Sequence, residues 1–166
     1  MKSEIKKVLS EGKIGSQIEV YGWVKTFRNN QFVSLNDGST ISNLQVVVDY
    51  TTLGEEVLKK ITTGASIRVK GRIQESKGSG QSIELLASEI EVLGDSDPEK
   101  FPLQPKKHSL EFLRENAHLR FRTQLFGAVF RIRHHLALAI HKFFDEKGFP
   151  SVQAVPTSKN GTNVRP

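Results

Sequence analysis

The 166-residue chain contains no cysteine. That excludes a disulfide framework and thiolate metal sites, and it is compatible with a reducing compartment. No run approaches the roughly 20 apolar residues that a helical membrane span requires. Met1 to Ser10 is charged and lacks the apolar segment of a secretory signal. A phosphate-cradling loop is missing too: Gly78-Ser79-Gly80 is followed by neither Lys-Ser nor Lys-Thr and does not open a helix. His108, His118, His134, His135 and His141 match no zinc spacing, so no metal site is expected. No nucleophile is patterned with a base. Nothing assembles an active site, and no catalytic residue is expected.

What is present is an uneven charge. The formal net charge is +6, with 24 Lys and Arg against 18 Asp and Glu. Up to Lys100 the count is 13 basic against 14 acidic residues, so the excess of 11 over 4 lies in the C-terminal third. A basic stripe there fits phosphate contacts to nucleic acid, and it fits a solvated helix face equally well.

The first hundred residues read as a brief helix and five strands. Ile5, Val8 and Leu9 give the opening helix one apolar side, and Gly12 is placed to end it. Gln17–Thr26 alternates, with a turn at Asn29-Asn30 before a second strand, Gln31–Asn36. The turn signal Asn36-Asp37-Gly38-Ser39 precedes a third strand at Asn43–Asp49. Val57, Leu58 and Ile61 mark a short helix over Gly54–Ile61. Ala65–Gln74 and Ser82–Leu93 follow as strands, joined by a flexible loop at Lys77-Gly78-Ser79-Gly80. Three strands, a helix and two strands is the order of an OB-fold, a five-stranded, partly open barrel, here over residues 1–97. Pro98, Pro102 and Pro105 then forbid a continuous helix, so residues 98–117 read as a hinge containing a short helical turn at Ser109–Asn116. A long helix over Thr123–Lys147 carries Leu125, Val129, Ile132, Leu136, Ile140 and Phe143 on one side, and Gly148 stands at its C-terminal cap. The polar, aperiodic stretch to Pro166 reads as a loop or disordered tail.

Strand alternation sorts the barrel residues into inward and outward sets. Val33 and Leu35, Leu44 and Val46, Ile67, Val69 and Ile73, and Ile83, Leu85 and Ala87 point in. Phe32 on the second strand points out. It is either a packed barrel-end residue or an aromatic platform for an unpaired base. Gln45, outward on the next strand, offers donors and an acceptor to a base edge. Lys25 and Arg28 are candidate phosphate contacts nearby. Arg68, Lys70 and Arg72 line the outward side of the fourth strand and are either a groove lining or ordinary surface charge. Glu84 is a surface carboxylate that could accept from a base amino group. Trp23 is read as covering the barrel wall or packing on the opening helix.

The run Phe101-Pro102-Leu103-Gln104-Pro105-Lys106-Lys107-His108-Ser109-Leu110-Glu111-Phe112-Leu113-Arg114 closely resembles the stretch between the two domains of bacterial-type asparaginyl-tRNA synthetases. Val20-Tyr21-Gly22-Trp23-Val24-Lys25-Thr26-Phe27-Arg28 is similar to the first barrel strand of that group. His118-Leu119-Arg120, Phe126-Gly127-Ala128-Val129, Ile140-His141-Lys142-Phe143-Phe144 and Gly148-Phe149 resemble the entry to the catalytic domain and its motif 1 helix, placing residues 118–149 there. Phe121 stands where members usually carry proline.

The resemblance implies a class II aminoacyl-tRNA synthetase whose OB-fold binds the tRNA anticodon loop, working in the cytoplasm. Phe32 corresponds to the aromatic that stacks an anticodon base and Gln45 to the glutamine that reads the central uridine. Arg28 and Glu84 fall where further anticodon contacts are expected. The helix over residues 123–147 corresponds to an element used in homodimerisation. Motifs 2 and 3, which hold ATP and magnesium in the full-length enzyme, do not occur, and the text after Phe149 diverges over residues 150–166. The expectation is a truncated or frame-shifted product that binds tRNA but does not itself make asparaginyl adenylate. A non-catalytic single-stranded nucleic-acid-binding module, or a regulatory, dimerising fragment, is the alternative.

Overall fold

The computed structural model describes residues 3–49, 54–76, 78 and 80–150. The tail expected to be disordered over 150–166 lies, beyond Pro150, outside the described residues, as do Lys77 and Ser79 of the expected loop. Five strands arise where sequence alternation is strict: β1 (Gln17–Arg28), β2 (Phe32–Asn36), β3 (Leu44–Val47), β4 (Ser66–Glu75) and β5 (Ile83–Gly94). Their hydrogen-bonded order is β1-β2-β3-β5-β4, and β4 returns to β1, so the ring is closed rather than partly open. The closing seam is a short parallel pairing of β3 with β5, Val46 opposite Leu85 and Val47 opposite Leu86; β1–β2, β2–β3, β4–β5 and β1–β4 are antiparallel.

The inward residues expected from alternation are the core. Val33, Leu35, Leu44, Val46, Ile67, Val69 and Leu85 are fully inaccessible to solvent, and Ile73, Ile83 and Ala87 are buried beside them. Burying a branched side chain of this size contributes about 1.5–3 kcal/mol relative to leaving it in water. A bulge at Ser88 shifts the inward side of β5 from Ala87 to Ile90, because Lys70 pairs with Glu89 while the next residue, Gly71, pairs with Ala87.

Helix α1 (Ile5–Glu11) adds Ile5 and Val8 to the same core. Its first N–H groups are satisfied from across the fold. Ile5 N donates to Asp37 Oδ2 at 2.9 Å and Lys6 N to Ser39 Oγ at 3.0 Å. Asn36 organises that loop, donating through Nδ2 to the Thr40 and Ser42 carbonyls and to Asn43 Oδ1 while its Oδ1 accepts from Gly38 N. The expected turn at Asn36–Ser39 therefore doubles as a helix cap. Gly12 ends α1 as expected, though in extended rather than left-handed backbone. A short helix α2 (Glu55–Lys60) links β3 to β4.

After the barrel, Gln104 Nε2 donates to the Pro98 and Phe101 carbonyls, His108 stacks on Phe112 with centroids 4.9 Å apart, and Ser109 caps α3 (Leu110–Glu115). Residues from Met1 to Gly127 cluster as one compact unit, with the division falling between Gly127 and Ala128. Helix α4 (Gln124–Glu146) ends in a left-handed glycine, Gly148 at φ +80°. Gly148 N donates to Asp145 O and Phe149 N to Phe144 O, and the Phe144 and Phe149 rings meet edge to face, so the stop combines both bonds and the apolar contact of a Schellman cap.

Candidate nucleic-acid interface

Strand register converts the outward residues into rows across the sheet. Thr26 on β1 lies opposite Ser34, Ser34 opposite Gln45, and on the far side of the seam Glu84 lies opposite Gln74. In the neighbouring row Arg28 is opposite Phe32, Phe32 opposite Val47, Val47 opposite Leu86, and Leu86 opposite Arg72. Directly opposed side chains stand about 5 Å apart on one face. Phe32 is half-buried, so its ring is neither a core residue nor free of neighbours. Val47 and Leu86 extend it into an apolar strip with an arginine at either end. Leu86 is 38% exposed, unusual for a leucine inside a strand. The tight Asn29-Asn30 turn, with φ of 53° and 50°, sets Arg28 against Phe32. Among the described residues no side-chain hydrogen bond or ion pair engages Arg28, leaving its guanidinium available for an anion.

Glu84 departs from expectation. It points outward, but only 5% of it is exposed. Gln74 Nε2 donates to one carboxylate oxygen at 2.8 Å, while Gln45 Nε2 and Ser76 Oγ donate to the other at 3.0 and 3.3 Å. The carboxylate is therefore the centre of a polar network under Gln45, not a free surface acceptor. Burying it is tolerable because each oxygen finds a donor.

The basic residues separate into two groups. Arg68 meets Glu89 at 2.6 Å, Glu91 at 2.7 Å and Glu19 at 3.5 Å, and Lys70 meets Glu89 at 3.0 Å. Burial alone would lower the Arg68 pKa, yet these three carboxylates hold it above its ordinary value. A hydrogen bond from the Tyr21 hydroxyl, helped by Arg68 and Lys70, keeps the Glu19 carboxyl below its usual range against the opposing effect of desolvation. Arg68 and Lys70 are thus neutralised within the barrel wall and are poor phosphate contacts. Arg72 differs: its Nε donates to the Gly15 carbonyl, and the residue is exposed beside Leu86.

Lys25 also has another role than the one expected. Its ammonium donates to the Arg122 carbonyl in the single turn of 3-10 helix at Arg120–Arg122. Burial, and after it the Arg122 charge, holds the ammonium below the usual lysine range. The Arg122 guanidinium lies 4.1 Å from the centroid of Trp23. Trp23 therefore packs under this turn, in a cation–π contact between residues far apart in sequence.

Sequence reasoning placed Phe32 and Gln45 outward on adjacent strands, with Arg28 nearby. It missed Leu86, Gln74 and Ser76, whose signal is cross-strand register rather than residue type. Among the described residues, no group of three or more His, Asp or Glu side chains could hold a metal ion, and no helix is long and apolar enough to cross a membrane.

Residues 18–93 match the family model of the OB-fold nucleic acid binding domain. Over 151 residues, 89% of its length, the chain is homologous to asparagine–tRNA ligases. It is 56% identical to that of Parabacteroides distasonis and 52% identical to that of Porphyromonas gingivalis strain W83. It spans 32% of the length of these relatives. The fold is that of solved asparaginyl-tRNA synthetases. The Pyrococcus horikoshii enzyme superposes with a TM-score of 0.77 at 23% identity, over 93% of this chain and 37% of that one. The Entamoeba histolytica enzyme in complex with asparaginyl-adenylate gives 0.77 at 21% identity, over 96% and 39%.

Proposed function

We propose that the barrel reads the anticodon loop of asparagine tRNA as the tRNA-binding part of an asparagine–tRNA ligase. The observation that carries this reading is the shared face of Phe32 and Gln45. A flat ring and a carboxamide stand in adjacent rows on paired strands, with Arg28 and Arg72 flanking the row of the ring. An unpaired base stacks on Phe32 and its edge meets Gln45. Arg28 and Arg72 take the backbone phosphates, and Glu84 acts beneath Gln45. The homology to asparagine–tRNA ligases supports the asparagine anticodon among loops that such a face could hold. Residues 118–149 correspond on this reading to the start of a class II catalytic domain, and ATP and magnesium are bound by parts of the ligase other than these residues. Cytoplasmic translation is the setting.

Fluorescence anisotropy with RNA hairpins tests it. A hairpin bearing the asparagine anticodon is expected to bind at least tenfold more tightly than one whose loop is permuted, since each lost base contact costs about 1–3 kcal/mol. Equal binding of both, and of oligouridine, would replace this reading with a sequence-indifferent single-strand module. The pairing of Arg68 and Lys70 with carboxylates argues against that module, which relies on a positive groove.

Helix α4 carries a second part of the reading. Leu125, Val129, Ile132, Leu136, Ile140 and Phe143 are each about half exposed or more, at helical spacing along one side. Such a stripe suits a contact surface, and we read it as the seam of a symmetric pair of subunits. Sedimentation is expected to show self-association that Ile132→Asp abolishes. A wild-type chain that stays monomeric at high concentration would remove this part and leave the anticodon reading intact.

A further inference from the structure

Glu84 is nearly inaccessible, has no cationic partner among the described residues, and still draws three donors. A carboxylate accepts hydrogen bonds and gives none, so the side of the Gln45 amide that meets it must be the nitrogen. The Gln45 carbonyl oxygen is thereby turned away from Glu84. Gln74 Nε2 at 2.8 Å and Ser76 Oγ at 3.3 Å fix the carboxylate in turn. On an exposed strand a glutamine amide is ordinarily free to flip, and a freely flipping amide presents donor and acceptor in either order.

We infer that Gln74, Ser76 and Glu84 are positioning residues that lock the Gln45 amide in one orientation, and that this lock makes the face select uridine over cytidine. The inference rests on the reading of this face as the base-binding surface. Uridine presents a donor at N3 beside an acceptor at O4, and cytidine presents the reverse pair. For a base held in place on the Phe32 ring, one amide orientation matches the first pattern and opposes the second. A flip inverts the preference, so selectivity depends on the groups that forbid the flip rather than on Gln45 alone.

The test compares hairpins carrying the asparagine anticodon with uridine or cytidine at its central position. Both are titrated against the full 166-residue chain and against Glu84→Gln, Gln74→Met and Ser76→Ala. The wild-type chain is expected to favour uridine by roughly tenfold or more. Glu84→Gln replaces one acceptor by a donor and lets Gln45 turn. The ratio is expected to fall to within about threefold, chiefly because the cytidine hairpin gains affinity, given about 1.4 kcal/mol per tenfold. Gln74→Met and Ser76→Ala, which loosen the carboxylate without touching Gln45, are expected to lower the ratio by smaller steps. A merely structural role would weaken both hairpins alike and leave the ratio unchanged. An unaltered ratio in folded Glu84→Gln and Gln74→Met proteins would overturn the inference while the base-binding reading stands. If Glu84→Gln does not fold, Gln74→Met and Ser76→Ala decide the matter by the same ratio. A wild-type chain that binds neither hairpin, or both equally, overturns the base-binding reading and the inference with it.

Discussion

Phe32→Ala is expected to weaken binding of the asparagine anticodon hairpin by about 1–3 kcal/mol, the usual worth of a base stacked on an aromatic ring, or roughly 5- to 150-fold. The effect is large because the strip holds only one ring. Val47 and Leu86 continue it, but neither offers a π face. It is also separable from folding. The flanking Val33 and Leu35 fill the barrel and are inaccessible, whereas Phe32 stands on the opposite side of the strand and is half-buried. The variant should therefore keep its sheet by circular dichroism and most of its resistance to urea. Phe32→Tyr keeps the ring and should bind nearly as well as the parent chain. Leu86→Ala should cost less than Phe32→Ala. Unchanged affinity in a folded Phe32→Ala protein would place the RNA on some other surface.

The second large effect concerns the fold. Gly71 sits where β4 is pinned on both edges, opposite Ile18 of β1 and Ala87 of β5, at the register shift made by the bulge. A Cβ added there would lie 2.2 Å from the Leu86 carbonyl oxygen and 3.1 Å from Ala87 Cα. Both are backbone atoms, so no rotamer change relieves the contact. Strands must separate at the point where the sheet bends to close. Gly71→Val is expected to destabilise the chain by about 2–4 kcal/mol, a substantial part of the 5–15 kcal/mol typical of folded domains. Urea unfolding followed by tryptophan fluorescence measures it. A midpoint equal to that of the parent chain would mean that the barrel tolerates a side chain at its tightest backbone approach.

Much of this architecture was legible from alternation and punctuation. Each strand expected between Gln17 and Leu93 exists, and the short turns at Asn29-Asn30 and Asn36–Ser39 are where Asn, Asp and Gly announce them. The inward sets were readable because apolar alternation has one solution once a strand is granted. Other features required knowing which strand lies beside which. Glu84 looks like any exposed carboxylate until β5 is laid between β3 and β4, which brings Gln45 and Gln74 to it. Arg68 and Lys70 look like a basic groove until the β4–β5 register sets Glu89 and Glu91 against them. Lys25 reaches the Arg122 carbonyl across 97 positions of sequence, a contact that no local pattern encodes. The bulge at Ser88 was hidden for another reason: Ile90 and Val92 continue an apolar alternation that slips by one residue, and a slip resembles noise.

The cluster around Arg68 bears on the path that an RNA strand can take. Glu19, Glu89 and Glu91 outnumber Arg68 and Lys70, three charges against two, so the wall where β1, β4 and β5 meet presents a small surplus of negative charge. A polyanion nearing that wall meets repulsion over a range of about 8 Å at physiological ionic strength. The row ending in Arg28 and Arg72 has no such surplus. On the proposed reading the acidic wall is an embankment that turns an RNA strand away from the barrel's flank and toward the row of Phe32.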